Sequence, residues 1–261
     1  MIVNTFVNSA LIILAYVTLW YIVSIILKRA DIVDIAWGPG YVVLVFYYLL
    51  STDITSRGVL VATLIIIWGL RLAIFVFSRN RKKKEDFRYL NWRNTWKNFY
   101  LRSYIQIFLL QGALLLIIIS PVSIMFSQKQ GYINTLDVLG MLVWLAGFLF
   151  ETVGDQQLIE FKKKPENKGK IITRGLWRYT RHPNYFGEVL LWWGIFIITL
   201  SSPYWYLGLL GPVTITVLIL FVSGIPMLEE KYDNNPEYQE YKKRTSMFIP
   251  LPPRRVVSGE K

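Results

Sequence analysis

The chain contains no cysteine and only one histidine, His182. The absence of cysteine excludes disulfides, thiolate catalysis and cysteine-ligated metal sites. A lone histidine leaves no histidine pair for zinc, so no metal site is expected. The sequence also lacks a Gly-x-Gly-x-x-Gly run and a Walker loop. Any nucleotide is therefore expected to bind at a membrane-embedded site and not in a Rossmann or P-loop domain.

Long apolar runs dominate what is present. Hydrophobic residues make up 54% of the 261 residues, and the mean hydropathy is +0.38. A helix needs about 20 such residues to cross a bilayer. The pattern predicts an all-α, polytopic membrane bundle of seven transmembrane helices in a single membrane domain, 1–261, because the loops are too short for another core. The predicted spans are 6–27, 36–50, 59–77, 104–120, 137–154, 185–201 and 204–225.

The net charge of +12 has a regular distribution along the chain. Of the 29 Lys and Arg residues, 26 fall in alternate loops, on one side of the predicted membrane. By the positive-inside rule, the N-terminus is expected outside and the C-terminus in the cytoplasm, in the inner (cytoplasmic) membrane. Membrane lipids are therefore expected partners and nucleic acid is not. Anionic lipid or a phosphorylated cofactor would account for some of the remaining basic residues.

A polar segment, Gly175-Leu-Trp-Arg-Tyr-Thr-Arg-His-Pro-Asn-Tyr-Phe-Gly-Glu188, runs directly into an apolar helix. Asn184 and Glu188 are four residues apart and share one helix face. Burying a carboxylate at the end of a membrane helix costs free energy, so such a residue usually has a charged partner or a functional role. The segment is therefore the leading candidate for a functional site.

Charged residues also occur inside predicted spans. Arg71 lies in the third span, and Glu151 and Asp155 lie one turn apart near the cytoplasmic end of the fifth. Arg71 is predicted to form a structural ion pair with Glu151, Asp155 or Glu188, or to reach a bound ligand. Glu151 and Asp155 oppose the helix dipole, which favours either pairing with nearby cations or orienting the donors of a ligand.

The loop 162–185 interleaves cations with aromatic rings. This pattern suits a ligand with a planar ring and phosphates, although a solvated basic loop has the same composition. Its candidate binding residues are Lys162, Trp177, Arg178, Arg181 and His182, with Tyr179 and Tyr185 beside them.

The 175–188 segment, followed by Leu-Trp-Trp-Gly194, resembles the C-terminal domain of steroid 5-alpha-reductases, which sterol C14-reductases share. The whole chain resembles a bacterial family of uncharacterised membrane proteins related to those reductases. This second resemblance rests on Asp34-Ile-Ala-Trp-Gly38, Trp68-Gly-Leu-Arg-Leu72, Glu85-Asp-Phe-Arg-Tyr89, Phe150-Glu-Thr-Val-Gly-Asp155 and Thr245-Ser-Met-Phe-Ile-Pro-Leu-Pro252. It implies N-terminal helices 1–4 in 1–130 and a reductase-like half with the cofactor site in 131–261.

The resemblance implies NADPH as the cofactor and a carbon–carbon double bond of a lipid-soluble substrate as the reacting group. It places Arg71 in the cofactor cavity, and Asp155, Asn184 and Tyr185 at the nicotinamide. Tyr238 and Tyr241 would close over the adenine side. Glu188 is the expected catalytic acid, with Tyr179 and Tyr185 next.

One position departs from the reductase pattern. Trp68 stands where those enzymes carry a tyrosine that polarises a ketone, and a tryptophan donates a hydrogen bond but no proton. Reduction of a 3-keto steroid is therefore not expected, and a non-catalytic lipid-binding protein stays an alternative.

A second alternative is an S-adenosylmethionine-dependent membrane methyltransferase. Isoprenylcysteine methyltransferases share an Arg-His-Pro-x-Tyr-x-Gly run and a downstream Glu-Glu pair, here 181–187 and 229–230.

Overall fold

The computed structural model describes residues 2–81, 83–127 and 132–254. The predicted all-α fold is confirmed: these residues form helices and no β-strand, apart from one isolated bridge between Thr180 and Ser246. The predicted boundary between 130 and 131 lies outside the described residues, and that division stays a prediction.

Thirteen α-helices, three 3₁₀ turns and two π-helical segments make up the described chain. The α-helices are α1 Ile2–Leu27, α2 Val33–Ser51, α3 Ser56–Asn80, α4 Phe87–Thr95, α5 Phe99–Ser103, α6 Leu110–Ile118, α7 Ser120–Phe126, α8 Thr135–Lys163, α9 Pro183–Thr199, α10 Trp205–Gly208, α11 Leu210–Val217, α12 Ile225–Glu230 and α13 Pro236–Arg244. The 3₁₀ turns are Ala30–Ile32, Pro165–Asn167 and Gly175–Arg178, and the π-helical segments are Tyr104–Leu109 and Leu218–Val222.

Among the described residues, six helical stretches are long and apolar enough to cross a membrane, which makes this a multi-pass membrane protein. They are Val3–Leu27, Ala30–Ser51, Ser56–Asn80, Phe99–Ile118, Thr135–Lys163 and Trp205–Glu230. The predicted span 185–201 corresponds to α9, which has 17 residues and is about 25 Å long at 1.5 Å per residue. Seven spans and the orientation of the termini stay predictions.

The chain divides into two compact units. The first contains residues 1–137 and 199–211, and the second contains residues 138–198 and 212–261. In the first unit α2 and α3 pack closely, since a Cβ placed on Gly69 would lie 2.8 Å from the carbonyl oxygen of Gly38. Although Gly38-Pro39-Gly40 looks like an interruption in the sequence, α2 runs through it as one helix.

A buried ion pair joins two distant parts of the first unit. Arg57 Nε lies 2.9 Å from Asp137 Oδ1, and the two side chains are 1% and 0% exposed. Arg57 also donates a hydrogen bond to Ser201. The carboxylate of Asp137 accepts a further bond from the backbone N–H of Asn134, so the pair ties the starts of α3 and α8 together.

Polar contacts also fasten α4 to the start of α2. Arg88 lies 3.3 Å from Asp34, and the Tyr89 hydroxyl donates to the same carboxylate at 2.7 Å. Glu85 accepts the backbone N–H of Ala30 at 2.6 Å and pairs with Arg93 at 3.0 Å. The polar segment before α4 is therefore held by specific side-chain contacts.

Candidate functional site

The second unit is organised around a close crossing of α8 and α9. Gly140, Gly147 and Gly154 recur every seven residues on α8, so they lie along one helix face. Gly140 meets Gly194 of α9, Gly147 meets Gly187, and Gly154 lies against Pro183 and Asn184. A Cβ on Gly147 would lie 2.5 Å from the backbone nitrogen of Leu191 and 2.6 Å from the carbonyl oxygen of Gly187. The two backbones therefore touch, which brings the acidic end of α8 beside the first turns of α9.

Gly147→Ala should destabilise this crossing, because the new methyl group has no space between the two backbones. Overpacking of this kind costs about 1–3 kcal/mol, or several degrees in the melting temperature. Thermal unfolding of the purified protein in detergent measures the effect. Ala146→Val is the matched control, since Ala146 is exposed on the same helix. Equal melting temperatures for the two variants would contradict the crossing.

Asp155 and Asn184 meet at the end of this crossing. The Asn184 side-chain amide donates to Asp155 Oδ1 at 3.1 Å, and Asp155 is buried. Asn184 is the second residue of α9, directly after Pro183. The carboxylate fixes the orientation of the amide, which has a carbonyl oxygen and a second N–H in addition to the N–H bonded to Asp155.

The 3₁₀ turn Gly175–Arg178 is anchored on α8. The indole N–H of Trp177 donates to the carbonyl oxygen of Gly154 at 3.1 Å, and the Leu176 N–H donates to Gln157 at 2.9 Å. Trp177 is buried with Phe161 and Ile172. Tyr241 donates from its hydroxyl to the Trp177 carbonyl oxygen. Trp177 and Tyr241 thus hold the basic loop in place.

Glu229 is the centre of a charge cluster, and the sequence analysis did not place it among the cofactor-binding residues. Its Oε1 lies 2.8 Å from Arg181 Nε and 3.1 Å from His182 Nε2, and its Oε2 lies 3.4 Å from Lys242 Nζ. Arg181 also donates to the Thr245 carbonyl oxygen at 2.9 Å. We call Arg181, His182, Glu229 and Lys242 the Glu229 cluster. It joins the start of α9 to α12, α13 and the following tail. In the sequence, Glu229 was indicated only by the Glu229-Glu230 pair of the methyltransferase resemblance.

Burial lowers the pKa of His182 below its ordinary value of 6.5, although the neighbouring Glu229 opposes the shift. The ring is therefore neutral at pH 7, and because a carboxylate only accepts, Nε2 carries the proton that faces Glu229. The ring stacks on Tyr185, with centroids 5.8 Å apart and planes at 18°.

The pKa of His182 predicts how stability depends on pH. Below pH 6.5 the unfolded chain takes up a proton that the folded chain does not, so this contribution is complete above pH 6.5 and is lost as the pH falls. The free energy of unfolding should fall between pH 7 and 5.5 by at most about 1.4 kcal/mol per pH unit from this group, and the melting temperature should fall with it. His182→Gln should flatten that drop. An unchanged slope in the variant would contradict the shift.

The remaining candidate residues occupy different environments. Glu151 and Tyr238 are buried, whereas Tyr185 and Glu188 are half-buried. The exposed members are Lys162, Arg178 and Tyr179, the last at 42%.

Arg71 and Trp68 belong to α3 of the first unit. The Arg71 guanidinium lies 5.8 Å from the ring centroid of Phe75. Trp68 is fully buried and packs edge-on against Tyr41.

Comparison with known proteins gives one long match and several short ones. An uncharacterized protein of Schizosaccharomyces pombe is 24% identical over 265 residues, covering 87% of this chain and 74% of that protein. A steroid 5-alpha-reductase of Arabidopsis thaliana is 39% identical over 66 residues, 24% of each chain. The 3-oxo-5-alpha-steroid 4-dehydrogenase 1 of Bos taurus is 29% identical over 104 residues, 39% of this chain and 38% of the enzyme.

The matches to the two enzymes thus span well under half of each protein, and no solved structure matches. A family model described as protein of unknown function (DUF1295) matches residues 20–245, which is most of the chain. The protein therefore belongs to the DUF1295 family and has homology to steroid 5-alpha-reductases.

Proposed function

We propose that this protein is a membrane oxidoreductase that uses NADPH to reduce a carbon–carbon double bond of a lipid-soluble substrate. We place it in the cytoplasmic membrane, with the second unit taking the cofactor from the cytoplasm. The observation that carries the proposal is the Asp155–Asn184 hydrogen bond beside a cationic loop, in a chain homologous to steroid 5-alpha-reductases.

The chemistry of the second unit fits a nicotinamide dinucleotide. Asn184 offers a fixed amide that can pair with the nicotinamide carboxamide. Thr152 Oγ1, on α8 next to Glu151, is buried and has no hydrogen-bond partner among the described residues, so it has bonding capacity for a ligand. Exposed Lys162 and Arg178 supply charge for phosphates.

We divide the predicted cofactor residues into those that contact the cofactor and those that position the loop. Arg181 is buried and already paired with Glu229, so we assign it a positioning role and leave the phosphates to the exposed cations. Trp177 and Tyr241 hydrogen-bond the loop to the rest of the unit, and we give them the same role.

Reduction of the double bond needs a hydride and a proton. Bound NADPH supplies the hydride to one carbon. We assign the proton for the adjacent carbon to Glu188, which lies one helical turn after Asn184 on the same face of α9. Tyr185 and Tyr179 are the alternative proton donors in this proposal.

Asn184→Ala tests the proposal. Asn184 can form two hydrogen bonds with the neutral carboxamide, each contributing about 0.5–1.5 kcal/mol, so NADPH affinity should fall about 5-fold or more. Fluorescence titration of NADPH into purified protein measures the change. Asn94→Ala is the control, because Asn94 is exposed on α4 of the first unit. Equal NADPH affinity for both variants would remove Asn184 from the site.

One observation favours a second candidate, an S-adenosylmethionine-dependent methyltransferase. The two sequence elements that resemble isoprenylcysteine methyltransferases meet in the fold, because Arg181 and His182 both contact Glu229. A thermal-shift comparison separates the candidates: the reductase proposal expects stabilisation by NADPH, whereas stabilisation by S-adenosylmethionine alone would favour the methyltransferase.

A further inference from the structure

A cavity of about 590 Å³ lies on the first unit, apart from the residues assigned to cofactor binding. It sits where the chain leaves α4 and enters the candidate membrane span Phe99–Ile118. Its lining combines cationic, aromatic and aliphatic side chains: Arg93, Trp96, Lys97, Asn98, Phe99, Tyr100 and Leu101.

Two cations at this position lie over aromatic rings: Arg93, which lines the cavity, and Arg102, which directly follows the last lining residue, Leu101. The Arg93 guanidinium lies 4.3 Å from the ring centroid of Phe99, and that of Arg102 lies 4.7 Å from the ring of Trp96. Arg93 is also paired with Glu85. In the part of the chain that the structure describes, neither Lys97 nor Arg102 forms an ion pair, and both are exposed. Lys97 and Arg102 therefore carry positive charge that no carboxylate of the described residues neutralises.

The aromatic side of the cavity is ordered by its own packing. Trp92 and Trp96 stack with centroids 5.3 Å apart and planes at 13°. The contacts of Arg88 and Tyr89 with Asp34 fix the helix that carries Trp92. Binding at this position would therefore order few additional groups, which favours affinity.

We propose that this cavity binds the headgroup of an anionic phospholipid from the surrounding bilayer, with Lys97 and Arg102 contacting the phosphate. Exposed apolar side chains continue from the cavity into the span: Tyr100 is 57%, Leu101 60% and Ile105 51% exposed. Acyl chains would cover this surface, whereas a free phosphate would leave it bare. Cationic and aromatic residues at the end of a span are typical of the membrane interface.

Native mass spectrometry of the full-length protein, equilibrated with phosphatidylglycerol and phosphatidylcholine, tests the proposal. The wild type should retain phosphatidylglycerol preferentially. Each cation near an anionic surface contributes about 1 kcal/mol, so the double variant Lys97→Gln/Arg102→Gln should lose about 25-fold of that preference. The charge-preserving variant Lys97→Arg/Arg102→Lys should keep most of it.

The matched control is Lys168→Gln/Lys170→Gln, which removes two exposed cations from the second unit and should change the preference less than about twofold. Melting temperatures within a few degrees of wild type establish that each variant is folded. An unchanged preference in the Lys97/Arg102 variant would overturn the proposal, and so would an equal loss in the control. Displacement of phosphatidylglycerol by millimolar inorganic phosphate would instead identify a free-phosphate site and overturn the lipid assignment.

Discussion

Glu229→Ala should lower the free energy of unfolding by about 3–5 kcal/mol, the cost typical of removing one partner from a buried ion pair. The substitution leaves the Arg181 guanidinium buried with its main anionic partner gone, and it deprives His182 and Lys242 of the same carboxylate. Chemical denaturation of the protein in detergent measures the loss.

Glu230→Ala is the matched control, because the neighbouring residue is also a glutamate but is exposed. We expect the control to stay within about 0.5 kcal/mol of wild type. The free energy of unfolding of Glu229→Gln should lie between those of the two alanine variants, because an amide oxygen still accepts a hydrogen bond from Arg181 but carries no charge. If Glu229→Ala costs no more than Glu230→Ala, the Glu229 cluster does not hold the second unit together.

Arg57→Met should cost a similar 3–5 kcal/mol in the first unit, because it strands the carboxylate of Asp137 in a fully buried position. The larger part of that cost is the desolvated, uncompensated charge rather than the loss of the contact. The double variant Arg57→Met/Asp137→Leu removes both charges and should recover most of the stability. Denaturant midpoints of the two single variants and the double variant form the cycle. A double variant as unstable as Arg57→Met would contradict this account.

The apolar part of the fold could be predicted from the sequence because hydropathy acts locally. A run such as Val3–Leu27 is long enough to cross a bilayer whatever surrounds it, and six stretches of this kind are helical in the structure. Gly38-Pro39-Gly40 has the composition of a helix break, yet α2 continues through it for a reason that lies elsewhere in the chain. Gly38 of α2 lies directly against Gly69 of α3, and this close packing favours an uninterrupted α2.

The charged contacts could not be predicted, because they join residues far apart in sequence. Arg57 has no carboxylate partner near it in the sequence that would predict a buried ion pair, since Asp137 is 80 residues away and both are buried. Likewise, Arg181 pairs with Glu229, which is 48 residues away in the sequence. Hydrophobic periodicity does not predict contacts between residues so far apart.

The glycines of the α8–α9 crossing are a different case. The seven-residue spacing of Gly140, Gly147 and Gly154 is visible in the sequence and predicts a close contact with another helix. The spacing does not identify which helix is the partner. Within the candidate site, the spacing of Asn184 and Glu188 predicted a shared helix face. The structure adds the hydrogen bond between Asn184 and Asp155, which the sequence did not predict because it depends on the α8–α9 crossing.

The central claim is that the second unit binds a nicotinamide dinucleotide, and equilibrium titration of the purified wild-type protein tests it most directly. NADPH and S-adenosylmethionine would be titrated in parallel, with binding read from nicotinamide fluorescence and from the shift in melting temperature. We predict saturable binding of NADPH, a higher melting temperature in its presence and no comparable effect of S-adenosylmethionine. Failure of NADPH to bind, with or without binding of S-adenosylmethionine, would contradict the account.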